Sequence, residues 1–364
     1  RMARRVDYPR VEIFCACHLL HTYAPTEGRS YHTLGKWYRL NILGIMSAFT
    51  LAHLSDLHVT PVRLRHPRAF LNKRALGALS WLLRRRKEYR PEVLAALASD
   101  LRNQQPDHLV ITGDLTNIAL EDEFSASLPW LQRLGGPQQV SLIPGNHDTY
   151  TPSSEHFPWA YWSDYMRSDN LSSTTSDLPA LLSNHIVNHT ASSFPTIRTC
   201  GPVAVVGVST AQATAPFYAS GAIGLSQLQR LEQLLSTLAK TPLCRAILIH
   251  HPPQEMNASA RRRLTDADAF RRVIVKTGAE LILHGHIHKT IQASIPGPHG
   301  PIPVVGVRAS SAIGRRPQRR SQYHLYRIEQ EQEANGRPRF GILLTTREYS
   351  SQDGNFHHLS EQLL

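Results

Sequence analysis

Five short clusters of polar, metal-capable side chains, each closing an apolar strand-like run, limit what this chain can become more than any other feature. Asp56-Leu57-His58 follows Phe49–Leu54, Gly113-Asp114 follows Leu109–Thr112, and Gly145-Asn146-His147-Asp148 follows Val140–Pro144. His250-His251 follows Ala246–Ile249, and Gly285-His286-Ile287-His288 follows Leu281–His284. Amides, imidazoles and carboxylates cost free energy when left unpaired away from water, so something must occupy them. In an open α/β sheet the loops at the carboxyl ends of the strands converge on one crevice, where five such clusters can meet. Together they supply Asp, His, Asp, Asn, His, His and His, oxygen and imidazole donors without a thiolate, which suits Mn²⁺, Fe or Zn²⁺. These exceed the needs of one ion. Two ions sharing a bridging carboxylate would use them all, and ions roughly 3.5–4 Å apart form a clamp for in-line displacement at phosphorus.

The D-x-H, GD, GNHD, H and GHxH order resembles that of the calcineurin-like metallophosphoesterase family, across about 46–310. The resemblance implies an α/β fold, an αββα sandwich of two mixed β-sheets flanked by helices, with a dimetal site at the carboxyl ends of the strands. Carried over residue by residue, it implies that Asp56, His58 and His288 hold one metal, that Asn146, His250 and His286 hold the other, and that Asp114 bridges them. His147 corresponds to the family's catalytic histidine, which binds no metal and faces the leaving oxygen. The implied activity is hydrolysis of a phosphoester by a metal-bridging hydroxide, formed from water that loses its proton near neutral pH. His147 would serve as the proton donor. The implied cofactors are two divalent ions, Mn²⁺ first.

Substrate class turns on finer points. Family phosphatases that act on phosphoproteins place an acid three residues after the bridging aspartate, to orient the histidine; this chain has Asn117. That departure favours a branch resembling small-molecule phosphodiesterases and pyrophosphatases. It leaves open what orients His147, with Asp148 one candidate.

The formal charge of +12 is unevenly placed, since residues 60–90 hold ten Arg or Lys against Glu88 alone. A local cationic feature favours a directed contact with phosphate or an anionic surface. Phe70, Leu71, Leu79, Trp81, Leu82 and Leu83 are interleaved with these cations. Such a basic amphipathic insert can lie in a membrane interface or line a site for an acyl-bearing phosphate; it can also be a helix packed on the sheet with a solvated end. Leu71-Asn72-Lys73-Arg74 with Leu76-Gly77 resembles the segment after the D-x-H motif in the chlamydial type of UDP-2,3-diacylglucosamine diphosphatase, an enzyme of lipid A synthesis. Substrate contacts are expected from Asn117, His251, Lys73 and Arg74. The expected partner is a small or lipid-linked phosphoester, with peripheral membrane contact through the insert. A nuclease would need a basic stripe with no such apolar interleaving and is disfavoured, so no nucleic-acid partner is expected. A non-catalytic scaffold would be expected to have lost ligands.

Hydrophobic content of 41% is ample for a core. Four cysteines, two of them Cys15 and Cys17, form no disulfide framework, and no apolar run of about 18 residues is present, which favours a cytoplasmic protein at most peripheral to the inner face of the membrane. Residues 1–45 show neither helical nor strand period and are expected to be a disordered or non-native extension before Met46; residues 46–364 form the catalytic domain. Helices are expected over 91–105, 120–134, 225–238 and 260–276, from apolar spacing on one face. Residues 149–195, rich in Ser, Thr, Asn and Pro, carry Tyr150, Phe157, Trp159, Tyr161, Trp162 and Tyr165 and are expected to form an aromatic rim over the metals. Short strands over 290–295, 302–307, 323–328 and 340–346, the last two joined through Asn335-Gly336, point to antiparallel pairing in a second sheet.

Overall fold

The computed structural model describes residues 48–364 apart from 64, 66, 170–192, 255–259, 315 and 333–337. The expected N-terminal extension, most of the second half of the aromatic segment and the Asn335-Gly336 turn fall outside these residues.

Among the described residues, twelve strands form two mixed sheets of six. The first runs in the order β12 (Asn355–Leu363), β11 (Pro338–Ser350), β10 (Gln322–Gln332), β1 (Phe49–Leu54), β2 (His108–Ile111), β3 (Val140–Leu142). The second runs β4 (Thr196–Cys200), β5 (Val203–Val208), β6 (Cys244–Ile249), β7 (Leu281–His284), β9 (Gly300–Gly306), β8 (Ile291–Gly297). Strands β1, β2 and β3 pair in parallel, as do β5, β6, β7 and β9. These parallel strands read as near-continuous apolar runs because both of their faces are covered.

Side chains alternate across a strand, so each buried strand feeds two apolar layers. Val203 and Val205 of β5 and Ala246 and Leu248 of β6 meet Leu51, Val110, Tyr326 and Leu344 between the sheets. Ala204, Val206, Ile247 and Ile249 face outward onto the helices Leu225–Leu238 and Ala267–Thr277. The outer face of the first sheet is covered by the helices Pro91–Gln104, Glu121–Leu134 and Phe157–Met166. The first of these places Pro91 in its opening turn, where the missing N–H costs nothing, and carries the chain from β1 to the parallel β2.

Two expectations are corrected. The strands beyond residue 320 do pair antiparallel, but they extend the first sheet through β1, with Phe49 opposite Ile328. Tyr326, Ile328, Ile342 and Leu344 supply the inter-sheet layer, which only that placement buries. The aromatic segment contains a helix, Phe157–Met166, that takes Trp162 and Tyr165 into the core instead of a rim. Trp162 sits 4.6 Å from Phe124 and donates from its indole nitrogen to Ser127 Oγ at 3.0 Å. Only Tyr150 of that group stacks on a candidate catalytic residue, 5.5 Å from His147.

The basic insert is helical over Arg74–Ser80, passes through a π turn at Trp81–Arg85 and ends at Arg86–Glu88. Its inner face, with Ala78 buried and Trp81 half-buried, packs on Ile118 and Leu120. Leu71, Leu79 and Leu83 stay exposed on the other side, at 84%, 52% and 65%. The inner face matches the reading of a helix packed on the domain, while the outer face leaves these leucines exposed.

Buried histidines away from the strand-end clusters make a pH prediction. His108 bonds Ser141 Oγ at 2.8 Å, and burial holds its pKa down to about 4; burial also holds His324 down to about 3. Both are neutral in the fold, whereas the unfolded chain takes up their protons below about pH 6.5. The stability they permit is thus complete above that pH and is lost as pH falls toward 4. Each should cost about 1.4 kcal/mol per pH unit across that window. Urea unfolding at pH 7.5 and 5.5 checks this, and His324→Gln should flatten the pH slope; an unchanged slope would remove His324 from the account.

Candidate metal centre

The chain brings its five strand-end clusters to one place because β1, β2, β3, β6 and β7 all end there. Among the described residues eight non-glycines have positive φ, and five are candidate ligands: Asp56 (53°), His58 (40°), Asp114 (59°), His286 (68°) and His288 (55°). That left-handed backbone costs energy in any residue with a Cβ, and persists where the surroundings over-determine it, commonly at functional sites. Gly145 is required by close approach. A Cβ there would stand 2.2 Å from Asp114 Oδ1 and 2.7 Å from His250 Cε1.

Asp56, His58 and His288 present ligand atoms within 4.8 Å of one another, and Asp114, His250 and His286 do the same. In the first group His58 Nδ1 donates to the Thr116 carbonyl at 2.7 Å, which leaves the Nε2 lone pair free. That atom is buried and has no hydrogen-bond partner. Asp56 Oδ1 lies 3.0 Å from His288 Nε2 yet accepts no hydrogen bond, while Oδ2 accepts from the His286 amide at 3.0 Å. In the second group His250 Nδ1 donates to the Thr112 carbonyl at 2.6 Å, turning Nε2 toward Asn146 Oδ1 at 3.1 Å and Asp114 Oδ2 at 3.4 Å. His286 Nε2 meets the Arg262 carbonyl at 3.0 Å, which leaves Nδ1 free.

The electrostatics suit cations. Burial works against ionisation of Asp56, but the His288 charge outweighs it and holds the carboxyl at about 2. Burial lowers His58 to about 4 and His286 to about 3, so both are neutral. His250 differs: burial pulls its pKa down, and the Asp114 charge and hydrogen bond more than reverse that, to about 9. Asp114 feels His250 in one group and His58 in the other, as a carboxylate shared between two sites would. Two orphaned buried acceptors, neutral imidazoles pinned by carbonyls on their far nitrogens and ionised carboxylates make a donor set that fits divalent ions.

His147 is held by backbone. Its Nδ1 donates to the Asn117 carbonyl at 2.5 Å and its amide donates to Asp114 Oδ1 at 2.7 Å. Nε2 faces Arg85 Nη2 at 3.1 Å. Burial, then the Arg85 charge, keeps the ring's pKa well below the usual histidine value. The orienting group is thus the Asn117 carbonyl. Asp148 serves the neighbouring loop, accepting from the amides of Asp114, Leu115, Thr116 and Gly145 at 2.8–3.0 Å. The Asn117 side chain is buried and donates to the Thr60 carbonyl at 2.7 Å, while its amide donates to the buried Glu123.

The other expected substrate contacts are taken up by the protein. His251 is buried between Thr210 Oγ1 at 2.7 Å and the Ala219 carbonyl at 3.1 Å. Arg74 donates to the carbonyls of Ile118 at 3.0 Å and Ala119 at 2.6 Å. Lys73 donates to Thr214 Oγ1 at 2.7 Å and the Tyr218 carbonyl at 2.9 Å. These four thus anchor the insert and the loops around the site. The insert residues that do reach the cluster are Arg85, against His147, and Tyr89, whose hydroxyl lies 3.3 Å from His288 Nδ1 and whose ring lies 4.4 Å from that of His58. Sequence reasoning missed both, because Arg85 is one cation in a run of four basic residues and Tyr89 stands outside every motif.

A family model described as calcineurin-like phosphoesterase matches residues 49–290. Among solved structures the chain is similar to a dimetal phosphatase from Danio rerio, at 11% identity and a TM-score of 0.52, covering 86% of this chain and 98% of that one. It also matches Vacuolar Protein Sorting 29 from Cryptosporidium parvum, at 10% identity and a TM-score of 0.38, covering 87% and 98%. No curated protein sequence matches.

Proposed function

Because the chain belongs to the calcineurin-like phosphoesterase family and is a metal-dependent phosphoester hydrolase, we propose that it cleaves a phosphodiester or diphosphate bond in a lipid-linked substrate. Asp56, His58 and His288 would hold one ion, Asn146, His250 and His286 the other, and Asp114 both. Mn²⁺ suits these nitrogen and oxygen donors. Divalent ions at such a site generate a nucleophile from water at neutral pH and offset charge on the phosphoryl oxygens. The protein supplies the rest. The carbonyls of Thr116 and Thr112 fix His58 and His250, so that their Nε2 atoms face inward. The Asn117 carbonyl commits His147 Nδ1, leaving Nε2 as the atom that exchanges a proton with the leaving oxygen, once Arg85 turns from it toward the substrate.

The lipid-linked substrate rests on one observation. The insert that delivers Arg85 to His147 and Tyr89 to His288 exposes Leu71, Leu79 and Leu83, beside the exposed cations Arg84, Arg86 and Lys87. Exposed leucines flanked by cations suit acyl chains or an anionic bilayer surface. No helix among the described residues is long and apolar enough to cross a membrane, and contact of this kind would be peripheral, at the cytoplasmic face. Leu71→Asp with Leu83→Asp should therefore abolish flotation with anionic-lipid vesicles while leaving the melting temperature unchanged, because both side chains are already in water. Retained flotation would take the insert out of membrane contact.

Substrate is tested with the purified protein and Mn²⁺, comparing bis-p-nitrophenyl phosphate with UDP-2,3-diacylglucosamine in detergent. Faster turnover of the lipid is expected. Turnover of the chromogenic diester alone would reject the lipid-linked reading and leave a hydrolase of small phosphodiesters.

A further inference from the structure

Arg85 closes the π turn Trp81–Arg85 and lays its guanidinium against both nitrogens of His147, Nη2 at 3.1 Å from Nε2 and Nη1 at 3.2 Å from Nδ1. Only the first contact can be a hydrogen bond. Nδ1 already gives its proton to the Asn117 carbonyl, so it meets Nη1 donor to donor. A guanidinium carries five N–H groups in a rigid fork. Here one of the five has an acceptor, and no carboxylate pairs with the group among the described residues. Two other cations of the insert, Arg74 and Lys73, are spent on backbone carbonyls. Arg85 is partly buried, cationic and short of acceptors, the state of a receptor for an anion.

The position of that anion follows from His147. On the proposed function, on which this inference rests, Nε2 faces the leaving oxygen, and Arg85 sits on Nε2. Whatever anion meets Arg85 therefore lies on the leaving-group side of the scissile bond. A simple phosphodiester has an uncharged alkyl or aryl group there. A diphosphate ester has a second phosphoryl group, with oxygens spaced for a bidentate guanidinium contact. We propose that Arg85 is a substrate-binding residue that receives this second phosphate and so selects diphosphate esters over simple phosphodiesters. In that hydrolysis the oxygen of water bonds to one phosphorus, the P–O bond to the bridging oxygen breaks, and its electron pair stays on the departing phosphate. The proton lost by water passes to solvent, His147 Nε2 exchanges a proton with the departing oxygen as in the proposed function, and Arg85 offsets the charge that develops on the departing group.

The test is equilibrium binding by calorimetry to the full chain with Mn²⁺, using methylenediphosphonate and inorganic phosphate as probes. Arg85→Ala should weaken diphosphonate binding by about tenfold or more and phosphate binding by less than about threefold, the loss of a charge-assisted contact confined to the second phosphate. Arg85→Lys should recover part of the difference, because it keeps the charge and loses the fork. Metal content should match wild type in both variants. Equal weakening of both probes, or no weakening of either, would overturn the proposal. Turnover of UDP-2,3-diacylglucosamine in detergent by the unaltered protein reports on the proposed function separately; its absence would remove that function while leaving the binding ratio intact.

Discussion

Asp114→Ala is expected to reduce phosphodiester hydrolysis to background and to release metal from both candidate sites. The carboxylate is buried at 1% exposure, acts on His250 and His58 together, and accepts the His147 amide. Without it the buried His250 loses the partner that holds its pKa near 9, and the His147 amide loses its acceptor. Removing one member of a buried charged pair costs about 3–5 kcal/mol. Metal that binds only the folded state also stabilises it, so the variant should melt at a lower temperature with a smaller response to added Mn²⁺. Elemental analysis and bis-p-nitrophenyl phosphate turnover are the readouts. Two ions per chain in the Asp114→Ala protein would defeat the bridging assignment.

His147→Ala is expected to give the opposite combination, full metal content with turnover lower by about 10²–10⁴-fold, the range of a positioned proton donor. The ring's nitrogens meet Asn117 and Arg85, and His147 belongs to neither ligand group. Its backbone amide, which supports Asp114, survives the substitution. Loss of one ion from His147→Ala would make the residue a ligand and exclude it as proton donor. Only the pattern across Asp114→Ala and His147→Ala discriminates, because either variant alone could lose activity through several causes.

The strand-end clusters were legible because each lies within a few residues of the apolar run that carries it. A buried parallel strand announces itself by continuous apolar sequence, and its carboxyl end fixes where the next residues emerge. The two mixed sheets were implied by the family resemblance that those clusters carry. Less was legible where partners are remote in sequence. The pairing of Phe49 with Ile328 puts the last strands in the first sheet, and no local period records it. Trp162 and Tyr165 look like rim aromatics until the helix Phe157–Met166 turns them against Phe124.

The sequence by itself determined the donor types, their order along the chain and the fold class that gathers them, since all three depend on short-range pattern. Tertiary structure alone decided which cation reaches His147 and what orients that ring. Ten Lys or Arg between residues 60 and 90 share one local character, and the π turn selects Arg85 among them by aiming its side chain inward. The orienting group is a backbone carbonyl at Asn117, and carbonyls belong to every residue, so a sequence holds no mark of the one that matters. Side-chain type is written in the chain, whereas direction and proximity arise only when distant segments pack.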